Sequence, residues 1–250
     1  MRIIRKVILL IMLAFLLSGR QSLAQQIAKD SIMRISAIHQ THREYQHFIS
    51  DAAPYYSGSQ YVEYYLKIDV GQPFFLNTNF NLGLIRYDHI LYENVPLKFD
   101  LVQNKIVIRD PLGVSSFSPS DDKIDYFTIN GHEFFKLKKD STNPTLPISG
   151  YYEVLYKSSR LTLLKKETKK VRDELNSERV PTRFIDSRIN FYLKMGSAYT
   201  IINRKNQVLK IFKDRKTEIR QFIRKNNLDF KFDADNALLS ILPYYESLTK

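Results

Sequence analysis

The feature that most restricts the fold of this chain is a series of short apolar and aromatic segments between residues 55 and 165. Turn-forming residues separate these segments about every 8–12 residues, a spacing typical of antiparallel meanders, sandwiches and barrels. Asn130-Gly131 is the strongest hairpin signal, and Gly196-Ser197 indicates another hairpin. Residues 61–69 are rich in aromatic and β-branched side chains and are predicted as a strand. The sequence therefore predicts an antiparallel β domain over residues 55–165.

Helical periodicity flanks this β domain on both sides. Residues 25–54 are predicted as an N-terminal helical segment, because apolar and aromatic residues recur there at helical spacing. Residues 166–188 are charged and poor in apolar residues, so they are predicted as a connector. Residues 189–250 are predicted as a β-hairpin followed by helices. Three apolar stripes mark those helices: Val208, Ile211 and Phe212; Ile219, Phe222 and Ile223; and Leu238, Ile241, Leu242 and Tyr245.

These patterns predict an α+β fold, in which an antiparallel β-meander, partial barrel or sandwich carries an N-terminal helix and a C-terminal helical unit. The chain has 250 residues, 44% of them hydrophobic, which is enough to bury a core. It has no cysteine, which excludes disulfides, thiol nucleophiles and Cys-ligated metal sites. Its eight glycines include no phosphate-cradling loop, so we expect neither a common nucleotide-binding enzyme nor any cofactor.

The first 24 residues have the pattern of a signal peptide. Arg2, Arg5 and Lys6 precede eleven uncharged apolar residues at 7–17, and a small-x-small site ends at Ala24. As a helix, eleven residues rise only about 16 Å, which is too short to span a bilayer core of about 30 Å. We expect cleavage after Ala24, no membrane-spanning segment in the mature chain, and a location in the periplasm, at the outer-membrane periphery or outside the cell. An uncut signal anchor is the alternative.

Basic residues are concentrated in the last third of the chain. Between residues 157 and 225 there are 20 Lys and Arg residues but only seven acidic residues. Such asymmetry indicates an anionic partner or simply a solvated helical face. Export and the absence of a nucleic-acid-binding motif argue against nucleic acid, so the expected partners are anionic lipid, a glycan or another envelope protein. The residues predicted to contact an anionic surface are Lys210, Lys213, Lys216, Arg220 and Arg224.

Aromatic residues crowd into positions 55–75 and are open to two interpretations. Exposed rows of aromatic side chains bind sugars or apolar ligands, whereas buried rows fill a β-sheet core. Burial in a β-sheet core is the favoured interpretation, and ligand binding is the alternative. The candidate ligand-binding residues are Tyr61, Tyr64, Tyr65, Phe74 and Phe75.

No motif assigns a catalytic residue or a metal ligand. The helical zinc-protease pattern requires two histidines four residues apart, and neither His39 and His42 nor His42 and His47 have that spacing. A hydrolase whose site is assembled in space stays open as an alternative. Its best candidates are His89, His132 and Asp125, which are polar residues near predicted turns.

Three segments of the chain have a recognisable pattern: Tyr55-Tyr56-Ser57-Gly58-Ser59-Gln60-Tyr61, Gly71-Gln72-Pro73-Phe74-Phe75 and Tyr92-Glu93-Asn94-Val95-Pro96-Leu97-Lys98-Phe99-Asp100. They resemble segments of exported proteins of Bacteroidota that have no assigned activity. The likeness extends to the C-terminal end and covers most of the mature chain. It implies an envelope location and carries no catalytic residue. With the patterns above, it leads us to expect a non-enzymatic binding or interaction protein of the cell envelope, or a structural component that docks on anionic lipid.

Overall fold

The structure is a computed structural model that describes residue 33 and residues 53–64, 67–139, 141, 145–146, 148–175 and 179–249. The predicted signal peptide, the N-terminal helical segment apart from Met33, and Tyr65 lie outside the described residues. We describe the unit that begins at Pro54.

Eleven strands and three α-helices are described in this unit. A 3₁₀ turn at Pro54–Ser57 precedes the strands. The strands are β1 (Ser59–Gln60), β2 (Asn81–Tyr87), β3 (Ile90–Asp100), β4 (Lys105–Arg109), β5 (Ser116–Ser118), β6 (Ile124–Ile129), β7 (His132–Leu137), β8 (Gly150–Lys157), β9 (Leu161–Leu175), β10 (Pro181–Met195) and β11 (Ala198–Ile201). The helices are α1 (Lys205–Ile211), α2 (Lys216–Lys225) and α3 (Ala234–Leu248).

All eleven strands belong to one open sheet, in which the neighbouring strands of the described chain are antiparallel. The order is β1-β5-β4-β3-β2-β6-β7-β8-β9-β10-β11. The hairpin predicted at Asn130-Gly131 is confirmed, since Ile129 pairs with His132 and both turn residues have positive φ. The hairpin at Gly196-Ser197 is confirmed too, by the pairing of Met195 with Ala198. The expected antiparallel sheet is therefore present.

The strand predicted at residues 61–69 is wrong. The described residues of this stretch form no strand. Their tyrosine hydroxyls bind a buried carboxylate instead: Tyr61 Oη lies 2.7 Å and Tyr64 Oη 2.8 Å from Asp100 Oδ2. A tertiary hydrogen-bonding role thus overrides the local β propensity of the segment.

The connector predicted at residues 166–188 is also wrong, because residues 166–175 and 181–188 lie within the two longest strands. Strands β9 and β10 pair from Leu161 with Met195 to Leu175 with Pro181. β8 pairs with β9 only as far as Lys165, and β11 pairs with β10 only from Tyr192 onwards. Residues 166–175 and 181–190 thus form a two-stranded ribbon beyond the body of the sheet.

Ion pairs connect the two strands along this ribbon. Arg183 lies opposite Asp173, and its guanidinium contacts that carboxylate at 2.7 Å. Arg172 Nε lies 2.7 Å from Asp186 Oδ2 on the neighbouring strand. Cross-strand pairs of opposite charge stabilise sheets. Charged residues can therefore form a strand here that hydropathy does not reveal.

The segment 69–75 crosses one face of the ribbon, and we call it the strap. Val70 N donates to Arg183 O at 3.1 Å, and Ile185 N donates to Val70 O at 2.9 Å. Lys169 Nζ donates to Phe74 O at 2.7 Å. Gly71 has φ +85°, and a Cβ there would lie 3.0 Å from Ile185 Cβ. The strap anchors the ribbon and leaves the opposite face uncovered by this segment.

The C-terminal helices pack on the sheet as their apolar stripes predict. Phe212 on the α1 side, Ile219 on α2 and Leu238, Ile241 and Leu242 on α3 have no exposed surface. They share one hydrophobic cluster with residues of β9 and β10, namely Leu161, Leu163, Phe191 and Leu193. The helices therefore cover one face of β9 and β10 close to the β11 edge.

Candidate functional site

The predicted aromatic residues surround charged groups of the chain itself. Lys98 is only 3% exposed, and its Nζ lies 4.0 Å from the ring centroid of Phe74 and 4.7 Å from that of Phe80. The same ammonium forms an ion pair of 2.8 Å with Glu63. Aromatic faces attract cations through their quadrupoles. The rings of this cluster thus have an internal cation as their neighbour.

Asp100 is the second internal charge of this region, and it has no exposed surface. Its carboxylate accepts hydrogen bonds from Tyr61 Oη, Tyr64 Oη, Val102 N and Gln103 N. Burial, followed by the hydrogen bond to Asp100, raises the pKa of Tyr61 and of Tyr64. Both hydroxyls therefore stay protonated and act as donors.

Phe75 is also buried, with edge-on contacts to His132 and Phe134 at centroid distances of 5.1 and 5.0 Å. Together with Tyr61, Tyr64 and Phe74, it contacts other residues of the chain. Tyr65 is outside the described residues. Binding of a ligand by these five residues stays a prediction.

The residues proposed for a hydrolase have different partners. His132 Nδ1 lies 2.5 Å from Glu153 Oε1, whereas Asp125 accepts a hydrogen bond of 2.6 Å from Arg86. His89 lies exposed in the β2–β3 turn with φ +67°. Within the described part of the chain, no hydrogen bond joins the three residues, and no group of three or more acidic or histidine residues is placed to hold a metal ion.

A groove of about 440 Å³ lies on the ribbon face opposite the strap. Successive side chains of a strand alternate between faces, so Lys166, Thr168 and Lys170 share this face. The residues paired with them across the ribbon are Asn190, Arg188 and Asp186, in that order. The lining is completed by Ser187 and Ile148. Three cations thus converge on one groove, an arrangement that the sequence analysis missed.

Lys166 is the buried member of this group, with 3% of its surface exposed. Its Nζ donates to Tyr151 O at 3.0 Å and lies 4.6 Å from the ring centroid of Tyr152. No carboxylate of the described residues forms an ion pair with it. Desolvation therefore lowers its pKa from 10.5 to about 8.

The residue facing the Lys166 amine is Gly150. A Cβ at this glycine would lie 2.6 Å from Lys166 Nζ and 3.3 Å from Asn104 Oδ1. Gly150 has φ +136°, a conformation that L side chains rarely adopt. Its missing side chain leaves the space that the ammonium occupies.

The depressed pKa of Lys166 predicts a pH-dependent stability. Between about pH 8 and 10.5 the unfolded chain holds this proton while the folded chain does not, so the free energy of unfolding rises with pH through that window. The contribution is at most on the order of 3 kcal/mol. Lys166→Met should abolish the rise, measured by urea unfolding in phosphate-free buffer at neutral pH and near pH 10.

Lys170→Met is the matched control, because Lys170 lies on the same groove and is exposed. It should keep the pH dependence of the wild-type chain. Tyrosine ionisation affects all three proteins alike and cancels in the comparison. Identical pH profiles for Lys166→Met and the wild-type chain would contradict the assignment.

The basic residues predicted on the C-terminal helices are all exposed. Lys216, Arg220 and Arg224 follow each other at four-residue intervals, which places them along one side of α2. The buried residues of α2 are Ile219 and Ile223. Among the described residues, no acidic side chain forms an ion pair with the five predicted cations, which are Lys210, Lys213, Lys216, Arg220 and Arg224.

Comparisons with known proteins identify no relative. No family model matches the sequence, no curated protein matches it, and no solved structure matches its fold. The helices of the described ranges include none with the length and apolar character needed to cross a membrane.

Proposed function

We propose that this chain is an exported, non-enzymatic protein of the cell envelope that docks on an anionic phospholipid surface through its C-terminal helices. The observation that carries the proposal is the set of five exposed basic residues on and between α1 and α2, without an ion-pair partner among the described residues. The signal-peptide pattern and the resemblance to exported proteins of Bacteroidota support the envelope location.

The arrangement of α2 suits such docking, because the two sides of the helix have separate roles. Ile219 and Ile223 pack into the core, while Lys216, Arg220 and Arg224 are exposed and form no ion pair with the described acidic residues. The helix can therefore meet a surface without losing its contacts with the sheet. Each Lys or Arg close to an anionic membrane contributes about 1 kcal/mol.

The connection after α2 exposes an apolar side chain next to a lysine. Phe232 is 82% exposed, and Lys231 lies over its ring at 4.9 Å. Aromatic side chains insert at the boundary between headgroups and acyl chains. An exposed phenylalanine beside a lysine is therefore suited to a lipid surface.

Vesicle binding tests the proposal. The protein, produced from its full-length sequence, is titrated with phosphatidylcholine vesicles that contain or lack phosphatidylglycerol. We expect binding only to the anionic vesicles, weakening as salt is raised because surface charges are screened. Replacing Lys216, Arg220 and Arg224 with glutamine should lower the affinity roughly a hundredfold at low salt.

A second triple variant with the same change of charge serves as the control. Lys67, Lys105 and Lys157 are exposed residues outside the helices, and their replacement by glutamine should leave vesicle binding nearly unchanged. An equal loss of affinity in both triple variants would show that only net charge matters. That result, or binding that is independent of salt, would refute docking through α2.

A further inference from the structure

The groove on the ribbon is independent of the helical surface and points to a different ligand. We propose that it binds the phosphate group of a small phosphorylated molecule, with Lys166, Lys170 and Arg188 as the cationic contacts. All three belong to one ribbon face, since Arg188 is paired with Thr168, which lies midway between the two lysines on β9.

The charges in the groove are unbalanced in favour of an anion. Lys166, Lys170 and Arg188 form no ion pair with an acidic side chain of the described residues. Asp186 is the acidic residue of the lining, and its carboxylate is engaged by Arg172 at 2.7 Å. The described lining of the groove therefore carries three cations against one carboxylate.

The buried ammonium of Lys166 is the strongest evidence for a ligand. A lysine ammonium has three donors, and a charge removed from water needs partners for them. Among the described residues, the Tyr151 carbonyl is its one accepting oxygen, and the Tyr152 ring lies 4.6 Å from it as a neutral partner. An anion in the groove would supply both the missing acceptors and the missing countercharge.

The chemistry of the lining favours phosphate over carboxylate. A phosphate monoester carries close to two negative charges at neutral pH and offers three strong acceptor oxygens. Guanidinium groups match the geometry of phosphate oxygens, and ammonium groups bind them as point charges. Thr168, Ser187 and Asn190 add hydroxyl and amide donors. A monovalent carboxylate with two oxygens would leave part of this set unused.

The groove is larger than a phosphate group alone. Its volume of about 440 Å³ lies within the range of small-molecule pockets. Ile148 gives the lining an apolar side chain. The remainder of the ligand therefore has room beside the phosphate, as in a phosphorylated metabolite or a lipid headgroup.

Calorimetric titration with inorganic phosphate and with glycerol phosphate tests the proposal. We expect saturable binding of both by the wild-type chain at millimolar concentrations or below. Lys166→Met and Arg188→Gln should each weaken binding at least about tenfold, because each removes a charge-assisted hydrogen bond. Arg188 is exposed, so its substitution keeps the test valid if Lys166→Met fails to fold.

Lys157→Gln is the control for net charge, because Lys157 is an exposed lysine at the end of β8 outside the groove. It should bind phosphate as the wild-type chain does. No saturable binding of either phosphate compound would overturn the proposal. An equal loss of affinity in Lys157→Gln and Arg188→Gln would overturn it too, since attraction would then depend on net charge alone.

Two further measurements complete the test. The first distinguishes a lipid headgroup from a soluble phosphate compound, and the second distinguishes the groove proposal from the membrane-docking proposal. If vesicles of phosphatidic acid compete with glycerol phosphate in the wild-type chain, the groove accepts a lipid headgroup; if they do not, it accepts the soluble compound, and both results support phosphate recognition. The triple variant at Lys216, Arg220 and Arg224 should keep its affinity for glycerol phosphate. Failure of vesicle docking thus leaves the groove proposal intact, and the reverse also holds.

Discussion

Replacing Asp100 with alanine is expected to lower the free energy of unfolding by about 4 kcal/mol, since it leaves four donors without an acceptor at about 1 kcal/mol or more for each. The carboxylate has no exposed surface and accepts from two tyrosine hydroxyls and two backbone N–H groups. A methyl group restores none of these hydrogen bonds. Urea unfolding followed by circular dichroism measures the loss.

Two control variants show how much of the loss in Asp100→Ala comes from the burial of the carboxylate and how much from the number of its hydrogen bonds. Tyr64→Phe removes one donor and keeps the carboxylate, so we expect a loss of only about 1 kcal/mol. Asp110→Ala removes a partly exposed aspartate that accepts from Leu112 N and Ser115 N, and its effect should be clearly smaller than that of Asp100→Ala because water can replace the acceptor. Equal effects at the two aspartates would show that Asp100 is not the buried hub described above.

Replacing Phe127 with alanine is the second change with a large expected effect, a loss of about 3–5 kcal/mol. Phe127 is fully buried, stacks on Phe134 with a centroid distance of 4.7 Å, and meets the rings of Phe99 and Tyr151 edge-on at 5.3 and 5.1 Å. Removal of its ring opens a cavity that three neighbouring rings cannot fill without leaving their own positions.

The preceding residue provides the comparison for Phe127. Tyr126 is partly exposed on the opposite face of β6, where it contacts the Phe135 ring at 4.7 Å. Tyr126→Ala should therefore destabilise the chain by a smaller amount in the same unfolding experiment. An equal decrease in the free energy of unfolding for both variants would contradict the assignment of the aromatic core to the sheet face that carries Phe127.

The sequence predicted those parts of the fold in which local chemistry and the fold agree. Asn130-Gly131 forms the expected turn because both residues tolerate positive φ. The apolar stripes of α1, α2 and α3 are buried as their spacing predicts. In each case a few neighbouring residues contain all the information that the element requires.

Where the sequence failed, the decisive partner is distant along the chain. Residues 61–64 resemble a strand, but Asp100 engages Tyr61 and Tyr64 from more than thirty positions away. The ribbon resembles a linker because charged residues are frequent in it, and Arg183 and Asp173 stabilise it only once the strands are paired.

The two candidate surfaces differ in the same way. The basic side of α2 could be predicted, because helical spacing alone places Lys216, Arg220 and Arg224 together. The groove could not, because the burial of Lys166 depends on β8 and on Gly150. Predicting a strand over residues 166–170 would have placed Lys166 and Lys170 on the same face. This was the one sequence signal that pointed to the groove.

The short outer strands of the sheet have a consequence for a protein that folds without disulfides. β1 contains two residues and β11 four, so the two ends of the sheet offer few free backbone groups to another chain. The long ribbon has further edges, but Val70 hydrogen-bonds to β10 there, and the many charged side chains of β9 disfavour pairing with another strand. Resistance to edge-to-edge aggregation is thereby built into the topology.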